Sequence, residues 1–94
     1  MHICLELYGI SRLIAGSKEI SLELKECATF RDIVRLLVTM YPGMIGDIVQ
    51  PDGETLQSPN IFNLNGERMI HVDHMEDTLC DGDQIILMSM SAGG

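Results

Sequence analysis

Basic residues are scarce in this sequence. Lysine and arginine together number six against fourteen aspartates and glutamates, which gives a formal net charge of −8. Proteins that bind nucleic acids or anionic membranes need cations to neutralise phosphates. We therefore expect neither nucleic acid nor a membrane among the partners. The negative charge suits a basic protein partner, although it also serves simply to keep a small domain soluble.

Cysteine is scarce as well, with only Cys4, Cys27 and Cys80. An odd number of widely spaced cysteines is a poor disulfide framework and favours reduced thiols. Residues 1–15 lack the basic start and apolar run of a signal peptide. No apolar stretch approaches the roughly 20 residues needed to cross a bilayer. These absences together predict a cytoplasmic protein.

Familiar catalytic and cofactor motifs are also missing. The sequence has no P-loop and no glycine-rich dinucleotide fingerprint, and three scattered cysteines cannot supply the pattern of a ferredoxin-type cluster. His71 and His74, with Asp73 and Glu76 nearby, are residue types that bind metals. A polar loop after a hairpin explains them more simply, so we expect no metal and no bound cofactor.

The sequence does contain enough apolar material for one modest core. Hydrophobic residues make up 46% of the 94 residues, and a chain of this length is expected to form a single domain over residues 1–94. Apolar and polar residues alternate in residues 2–8 and again in residues 18–25, which predicts two half-buried strands. Residues 9–17 contain two glycines and are interpreted as the connection between them.

A helix is predicted for residues 29–41. Phe30, Ile33 and Leu37 recur at helical spacing and form an apolar stripe that should pack on the sheet. Thr29 is suited to the N-cap position, and Pro42 follows the last helical residue.

The second half of the chain is predicted to supply three more strands. Asn65-Gly66 between two short apolar runs is typical of a type I′ hairpin, and residues 84–90 form a final strand. Residues 43–59 show little periodicity beyond a short helical turn within residues 44–49. This order of elements predicts an α+β fold in which one main helix packs on one face of a mixed sheet.

The final strand is apolar on both faces. Ile85 and Leu87 alternate with Ile86, Met88 and Met90, and a single helix can cover only one face of a sheet. We therefore expect Ile86, Met88 and Met90 to bind a partner, for which two methionines provide an adaptable surface. The alternative is that residues 43–59 cover this second face.

The last three residues, Ala92, Gly93 and Gly94, are the sharpest functional signal. A tail of small residues is expected to be flexible from about residue 91. It can also thread a narrow channel, because glycine has no Cβ atom. The carboxylate of Gly94 could then be activated by ATP on a partner enzyme and attacked by a sulfur nucleophile.

Four stretches of the sequence together resemble one family, which comprises the small subunit of molybdopterin synthase and the related thiamin sulfur carrier. They are SRLIAGSKEISLEL after the opening strand, TFRDIVRLLVTMYP, IFNLNGERM and TLCDGDQIILMSMSAGG. The Asp-Gly-Asp turn, the final strand and the terminal Ala-Gly-Gly are the specific part of the resemblance. The resemblance implies a ubiquitin-like β-grasp fold.

The resemblance also implies a chemistry for the tail. The family's terminal glycine corresponds to Gly94, which a ubiquitin-activating-type enzyme would adenylate with ATP and which sulfur would then convert to a thiocarboxylate. Gly93 and Ala92 form the tail that presents it. The large subunit of molybdopterin synthase is the implied partner that receives the sulfur, and this chain would not be catalytic alone.

Two departures from the family keep alternatives open. The Pro-Pro that often precedes the family's tail is replaced by Ser89-Met90, and residues 43–60 make the chain longer than the thiamin carriers. The extra length favours the molybdopterin branch or an archaeal-type small modifier. Three functions remain: a sulfur donor for a molybdenum, tungsten or thiamin pathway, a modifier joined to lysines through Gly94, and a plain interaction module.

Overall fold

The computed structural model describes residues 1–90, which form a five-stranded sheet with one main helix against it. The strands are β1 (His2–Leu7), β2 (Glu19–Glu23), β3 (Asn60–Leu64), β4 (Arg68–Ile70) and β5 (Gln84–Ser89). The α-helices are α1 (Ile10–Ala15) and α2 (Phe30–Met40), and short 3₁₀ turns occur at Pro42–Met44 and Val72–His74.

The strand order across the sheet is β2-β1-β5-β3-β4. β1 and β5 run parallel, whereas the other neighbouring pairs are antiparallel. This confirms the prediction of a mixed sheet. β5 lies at its centre, so backbone hydrogen bonds on both sides fix the direction of each of its side chains.

One face of the sheet is covered by α2, and the core lies between them. Ile33 and Leu37 of α2 are fully buried, and the ring of Phe30 lies 5.9 Å from that of Phe62 on β3, measured between centroids. These contacts confirm that Phe30, Ile33 and Leu37 form the packing stripe. The strand residues that face α2 and are fully buried include Ile3, Leu5, Leu7, Phe62, Ile85 and Leu87.

The helix α2 begins and ends where its capping residue and the following proline predict. Thr29 is the N-cap, and its backbone N–H donates to Asp32 Oδ2 at 2.9 Å while its own side chain accepts from the Asp32 backbone N–H. This reciprocal pair is a capping box, which satisfies donors that the first helical turn leaves free. The helix ends at Met40, just before Pro42, because proline has no N–H with which to continue it.

Residues 9–17 connect β1 to the antiparallel β2 as predicted, but they are not a simple loop, because Ile10–Ala15 form the short helix α1. Gly9 and Gly16 are the capping residues on either side of this helix. Gly9 has a φ of 65° and Gly16 a φ of 73°, backbone conformations that favour glycine. The Ser11 hydroxyl is buried and donates to the Tyr8 carbonyl at 2.8 Å. A helix of six residues is too short to show a clear period in the sequence.

Residues 43–59 add to the helix-covered core and leave the other face of the sheet uncovered. Met44, Ile48 and Val49 are buried in the same core as α2. The predicted turn within residues 44–49 is present, since the Ile48 N–H donates to the Met44 carbonyl at 2.9 Å, and a 3₁₀ turn at Pro42–Met44 precedes it. Arg35 of α2 donates two hydrogen bonds to Glu54, at 2.6 and 3.0 Å, and so attaches the outer part of this segment to the helix.

The predicted hairpin turn between β3 and β4 is confirmed. Asn65 and Gly66 have φ angles of 54° and 74°, and a type I′ turn requires positive values at both central residues. The Glu67 N–H donates across the turn to the Leu64 carbonyl at 3.0 Å. No helix within residues 1–90 is long and apolar enough to cross a membrane.

Candidate functional site: the open face of the sheet

The alternation along β5 divides its side chains between two environments. Ile85 and Leu87 are fully buried beneath α2, whereas Ile86 and Met88 are only half-buried on the opposite side. We call this opposite side the outer face. Residues 43–59 do not close it, so the alternative in which both faces of β5 are buried is wrong.

The neighbours of β5 make the outer face apolar on one side and acidic on the other. On the β3 side, Met88 is paired with the nearly buried Ile61. On the β1 side, Ile86 is paired with Glu6, which is itself paired with Glu19 of β2. A partner that contacts this face would therefore meet an apolar strip with carboxylates beside it, as predicted for a basic protein partner.

Ile86 and Met88 lie in a groove of about 610 Å³, here called the β5 groove. The short helix α1 contributes to it, because Ile10 is 55% exposed there. Its lining consists of Tyr8, Gly9, Ile10, Asp47, Pro59, Asn60, Ile86, Met88 and Ser89. A groove of this composition can accept an apolar side chain or a short apolar segment of a partner.

Met90 belongs to a second groove. This edge groove, of about 480 Å³, also includes Ile61, Ile70 and the exposed Val72. Among residues 1–90, only Pro59 and Asn60 line both grooves. The structure thus brings Ile86 and Met88 together as predicted, and places Met90, which is 53% exposed, in the neighbouring depression.

The rim of the β5 groove is polar at Tyr8. Hydrogen bonding to the Glu6 carboxylate raises the pKa of the Tyr8 hydroxyl above its ordinary value. The guanidinium of Arg12 lies 4.9 Å from the centre of the Tyr8 ring, and its Nε donates to the Leu7 carbonyl at 2.8 Å. These contacts hold the aromatic ring at the edge of the groove.

Asn63 is an unusual polar residue on the outer face. It is paired with Ile86 across the β3–β5 ladder, and its exposed fraction is only 9%. Its Nδ2 contacts Met69 Sδ at 3.5 Å, but its Oδ1 is buried without a hydrogen-bond partner in the described residues. An unsatisfied buried acceptor lowers stability, so this position is not optimised for the isolated fold.

The last described residue, Met90, donates its backbone N–H to the Pro59 carbonyl at 2.8 Å. This bond holds the end of β5 beside both grooves. Ala92, Gly93 and Gly94, the predicted tail, lie outside the described residues. Their predicted roles, and the predicted flexibility from about residue 91, stay predictions.

Two of the residues considered for a metal site are paired with residues outside that group. His74 Nδ1 lies 3.2 Å from Asp77 Oδ2, and Glu76 is paired with Arg31. Across the described part of the chain, no group of three His, Cys, Asp or Glu side chains is placed to hold a metal ion.

Several residues of the β5 groove were missed by the sequence analysis. Ile10 lies within residues 9–17, which were interpreted as the connection between two strands. Pro59 and Asp47 lie within residues 43–59, which show little periodicity. A signal for α1 was present, because Ile10 and Ile14 are four residues apart and Gly16 follows the helix as a C-cap glycine does. No comparable signal marked Asp47.

Comparison with known proteins identifies the family. The sequence model of the ThiS family matches residues 5–94. The chain belongs to the ThiS family. It is 32% identical over 94 residues to small archaeal modifier protein 3 of Haloferax volcanii, and the match covers 100% of both proteins.

Solved structures place the ThiS-family chain among ubiquitin-like β-grasp proteins. The crystal structure of SAMP1 from Haloferax volcanii matches it with a TM-score of 0.81, at 22% identity and with 100% of both chains covered. A putative molybdopterin converting factor, subunit 1, from Pyrococcus furiosus matches with a TM-score of 0.70 at 20% identity, covering 95% of this chain and 97% of the other. The predicted fold and family resemblance are confirmed, and the chain is a homologue of the ubiquitin-like sulfur carriers and modifiers.

Proposed function

We propose that this chain is a sulfur carrier whose reactive group is the C-terminal carboxylate of Gly94, and that it serves as the small subunit of a molybdopterin synthase. The observation that carries the proposal is the β5 groove, an open apolar site next to the point where the tail begins. A partner enzyme docked on Ile86 and Met88 would hold the start of the tail in a fixed position. The protein would then supply the reacting carbonyl, and the partner the catalytic groups.

The length of the tail fits this arrangement. Met90 is fixed to Pro59 by its backbone hydrogen bond, and four further residues extend to roughly 14 Å at most. The final carbonyl of Gly94 would therefore reach an active site buried inside the partner while the body of the protein remains on the surface. The absence of Cβ atoms in Gly93 and Gly94 would let them pass through a narrow channel.

The proposed formation of the thiocarboxylate has three steps. An activating enzyme joins the Gly94 carboxylate to the α-phosphate of ATP, which forms the acyl-adenylate and releases pyrophosphate. The terminal sulfur of a persulfide then displaces AMP. A thiol finally attacks the persulfide carrier's own sulfur in the resulting acyl disulfide, which leaves the thiocarboxylate on Gly94 and a disulfide between the carrier and the thiol. The large subunit would transfer that sulfur to a small precursor.

The experiment is intact-mass spectrometry of the full chain after incubation with ATP, an activating enzyme from the same cell and a persulfide source. The expected result is a mass increase equal to the difference between a sulfur and an oxygen atom. Deletion of Gly94 should abolish it, because the carbonyl then stops about 3.5 Å short of the reaction centre and misplacement by even ~1 Å can cost roughly 100-fold in rate.

Gly93→Ala is the matched variant for that deletion, because it keeps the length of the tail and adds one methyl group. It should retain part of the reaction. If the activating enzyme modifies another carrier but never this chain, the sulfur-carrier proposal is wrong and the chain is a plain interaction module.

A second candidate shares the first step. The relative at 32% identity is named a modifier protein, which supports attachment of Gly94 to lysine side chains of other proteins through an isopeptide bond. Activated protein should be offered a lysine-rich acceptor in one reaction and the large subunit with its precursor in another. Covalent adducts of the acceptor favour the modifier, sulfur transfer favours the synthase, and transfer only to a thiamin-pathway enzyme would favour the thiamin carrier.

A further inference from the structure

The segments that carry two of the three cysteines are joined by a short bridge near the beginning of β5. Thr29, at the start of α2, and Thr78, ahead of β5, form an isolated antiparallel bridge. Cys27 lies two residues from the bridge on one segment and Cys80 two residues from it on the other, both on the same side of the bridge because the segments are antiparallel.

The hydrogen bonds and the burial support this register. The Leu79 N–H donates to the Ala28 carbonyl at 2.9 Å, and both of these residues are buried. The next pair outward, Cys27 and Cys80, is exposed on both sides. Both thiols are therefore accessible to solvent on the outer side of this hydrogen-bonded pair.

Continuation of the ladder spacing by one residue beyond Ala28 and Leu79 would bring the Cα atoms of Cys27 and Cys80 within the range of a disulfide. Opposed residues of an antiparallel pair have Cα atoms roughly 4.5–5.5 Å apart, and disulfides join Cα atoms about 4.4–6.8 Å apart. Each cysteine also lies at a turn, where the backbone can adjust. The Ala28 N–H donates to the Lys25 carbonyl at 3.2 Å, and the Asp83 N–H donates to the Cys80 carbonyl at 3.1 Å.

Cys27 has a backbone conformation that its residue type rarely adopts. Its φ is 67°, in the left-handed region that favours glycine or asparagine. A cysteine kept at such a position points to a use for its side chain, because glycine would satisfy the turn with less strain.

We propose that Cys27 and Cys80 are a redox pair that a low-molecular-weight disulfide can close. One thiolate attacks a sulfur of the small disulfide, forming a mixed disulfide and releasing one thiolate. The second cysteine then attacks the protein sulfur of that mixed disulfide and releases the other. The two cysteines lose two electrons and two protons in total, and one small disulfide is reduced to two thiols.

The closed pair would link the segment before α2 to the segment before β5, which are distant in sequence. Closing such a long loop restricts the unfolded chain. We expect the oxidised protein to melt about 10 °C higher than the reduced protein. This property is independent of the sulfur-carrier function, because the link lies away from the tail and both grooves.

Cys4 is an internal control in the same chain. It is half-buried on β1, and its Sγ lies 3.8 Å from Glu19 Oε2. Burial, and then the carboxylate of Glu19, raise the pKa of the Cys4 thiol. Because the thiolate is the reactive form, Cys4 should react more slowly than the two exposed cysteines.

The test uses the reduced full chain, oxidised glutathione as the probe, alkylation of the remaining thiols, and peptide mapping by mass spectrometry. The wild type should lose the mass of two hydrogen atoms and yield a cross-linked Cys27–Cys80 peptide, with Cys4 alkylated. Cys4→Ser should behave like the wild type. Cys27→Ser and Cys80→Ser should each stop at a glutathione adduct on the other exposed cysteine.

Three results would overturn the proposal. They are stable glutathione adducts on both Cys27 and Cys80 of the wild type, an internal link that includes Cys4, and no oxidation of either exposed cysteine. The melting temperature of each serine variant before oxidation shows that it is folded, so a missing cross-link cannot be attributed to unfolding.

Discussion

The two faces of β5 carry similar residues in contrasting surroundings. Ile85 and Leu87 are fully buried under α2, whereas Ile86 and Met88 lie in an open groove on the outer face. The inner face is completed by the chain itself through α2 and residues 43–59. The outer face stays partly exposed at Ile86 and Met88. Adjacent apolar residues of β5 therefore have different roles: those on the inner face stabilise the fold, and those on the outer face, as we propose, bind a partner.

The largest expected effect tests the inner face. Leu87→Ala should lower the free energy of unfolding by about 2–5 kcal/mol, because it leaves a cavity in a close-packed core. The measurement is urea denaturation followed by circular dichroism. Met88→Ala is the matched control and should cost less than half as much. Equal losses for the two variants would mean that the outer face is also part of the core.

The outer face is tested by adding a charge. Met88→Asp should weaken binding of the activating enzyme about 30-fold or more, as expected for a residue at the centre of an interface, while the melting temperature changes little. Titration calorimetry gives the affinity. Met40→Asp is the control, because Met40 is an exposed methionine at the end of α2. An equal effect of Met40→Asp would show that the loss reflects negative charge in general.

A smaller effect of opposite sign is expected at Asn63. Asn63→Leu should raise the free energy of unfolding by about 1 kcal/mol, because it removes a buried oxygen that has no partner in the described residues. Asn60→Leu should destabilise, since Asn60 Nδ2 donates to the carbonyls of Asp47 and Gln57 at 3.0 and 2.8 Å. Destabilisation by Asn63→Leu would show that its oxygen is hydrogen-bonded in solution.

The smallest effect concerns the attachment of residues 43–59 to α2. The hydrogen bond from Arg35 lowers the pKa of the Glu54 carboxyl below its usual 4.5. A lowered pKa in the folded state contributes stability above the unfolded value, and this contribution is lost as the pH falls through the folded value. Arg35→Gln should therefore make the melting temperature less dependent on pH in the acid range.

The control for this pH effect is Arg12→Gln, because Arg12 Nε donates to the Leu7 carbonyl rather than to a carboxylate. Melting curves recorded from about pH 6 down to about pH 3 would cover the protonation of Glu54. If Arg35→Gln and the wild type lose stability in parallel over this range, the Arg35–Glu54 pair does not contribute to the pH dependence.

Much of the fold could be predicted because its patterns are local. Alternation marked β1 and β2, the stripe of α2 followed from helical spacing, and Asn65-Gly66 marked the hairpin. The helix α1 was missed because six residues show little period and its flanking glycines resemble those of a loop. Residues 43–59 were not predictable, because their buried residues are fixed by contacts with α2 that are distant in sequence.

The candidate site was predicted in part. Alternation alone separated Ile86 and Met88 from Leu87, since side chains alternate in any strand. The groove itself could not be predicted, because Tyr8, Pro59 and Asp47 meet there only when β1, β3 and the loop before β3 are assembled. The cysteines show the same limit: their odd number favoured reduced thiols, and only the bridge between Thr29 and Thr78 shows that the segments carrying Cys27 and Cys80 pair.

The sequence by itself determined the α+β class, the main helix, the apolar nature of both faces of the last strand and the family to which the chain belongs. These properties depend on residue types and short spacings, which any chain carries before it folds. Only the tertiary structure decided which face of β5 remains open, which residues form its groove, that Met90 lies in a different groove, and which cysteine-bearing segments pair. These outcomes depend on strand order and register, which are set by contacts between segments that are far apart in the sequence.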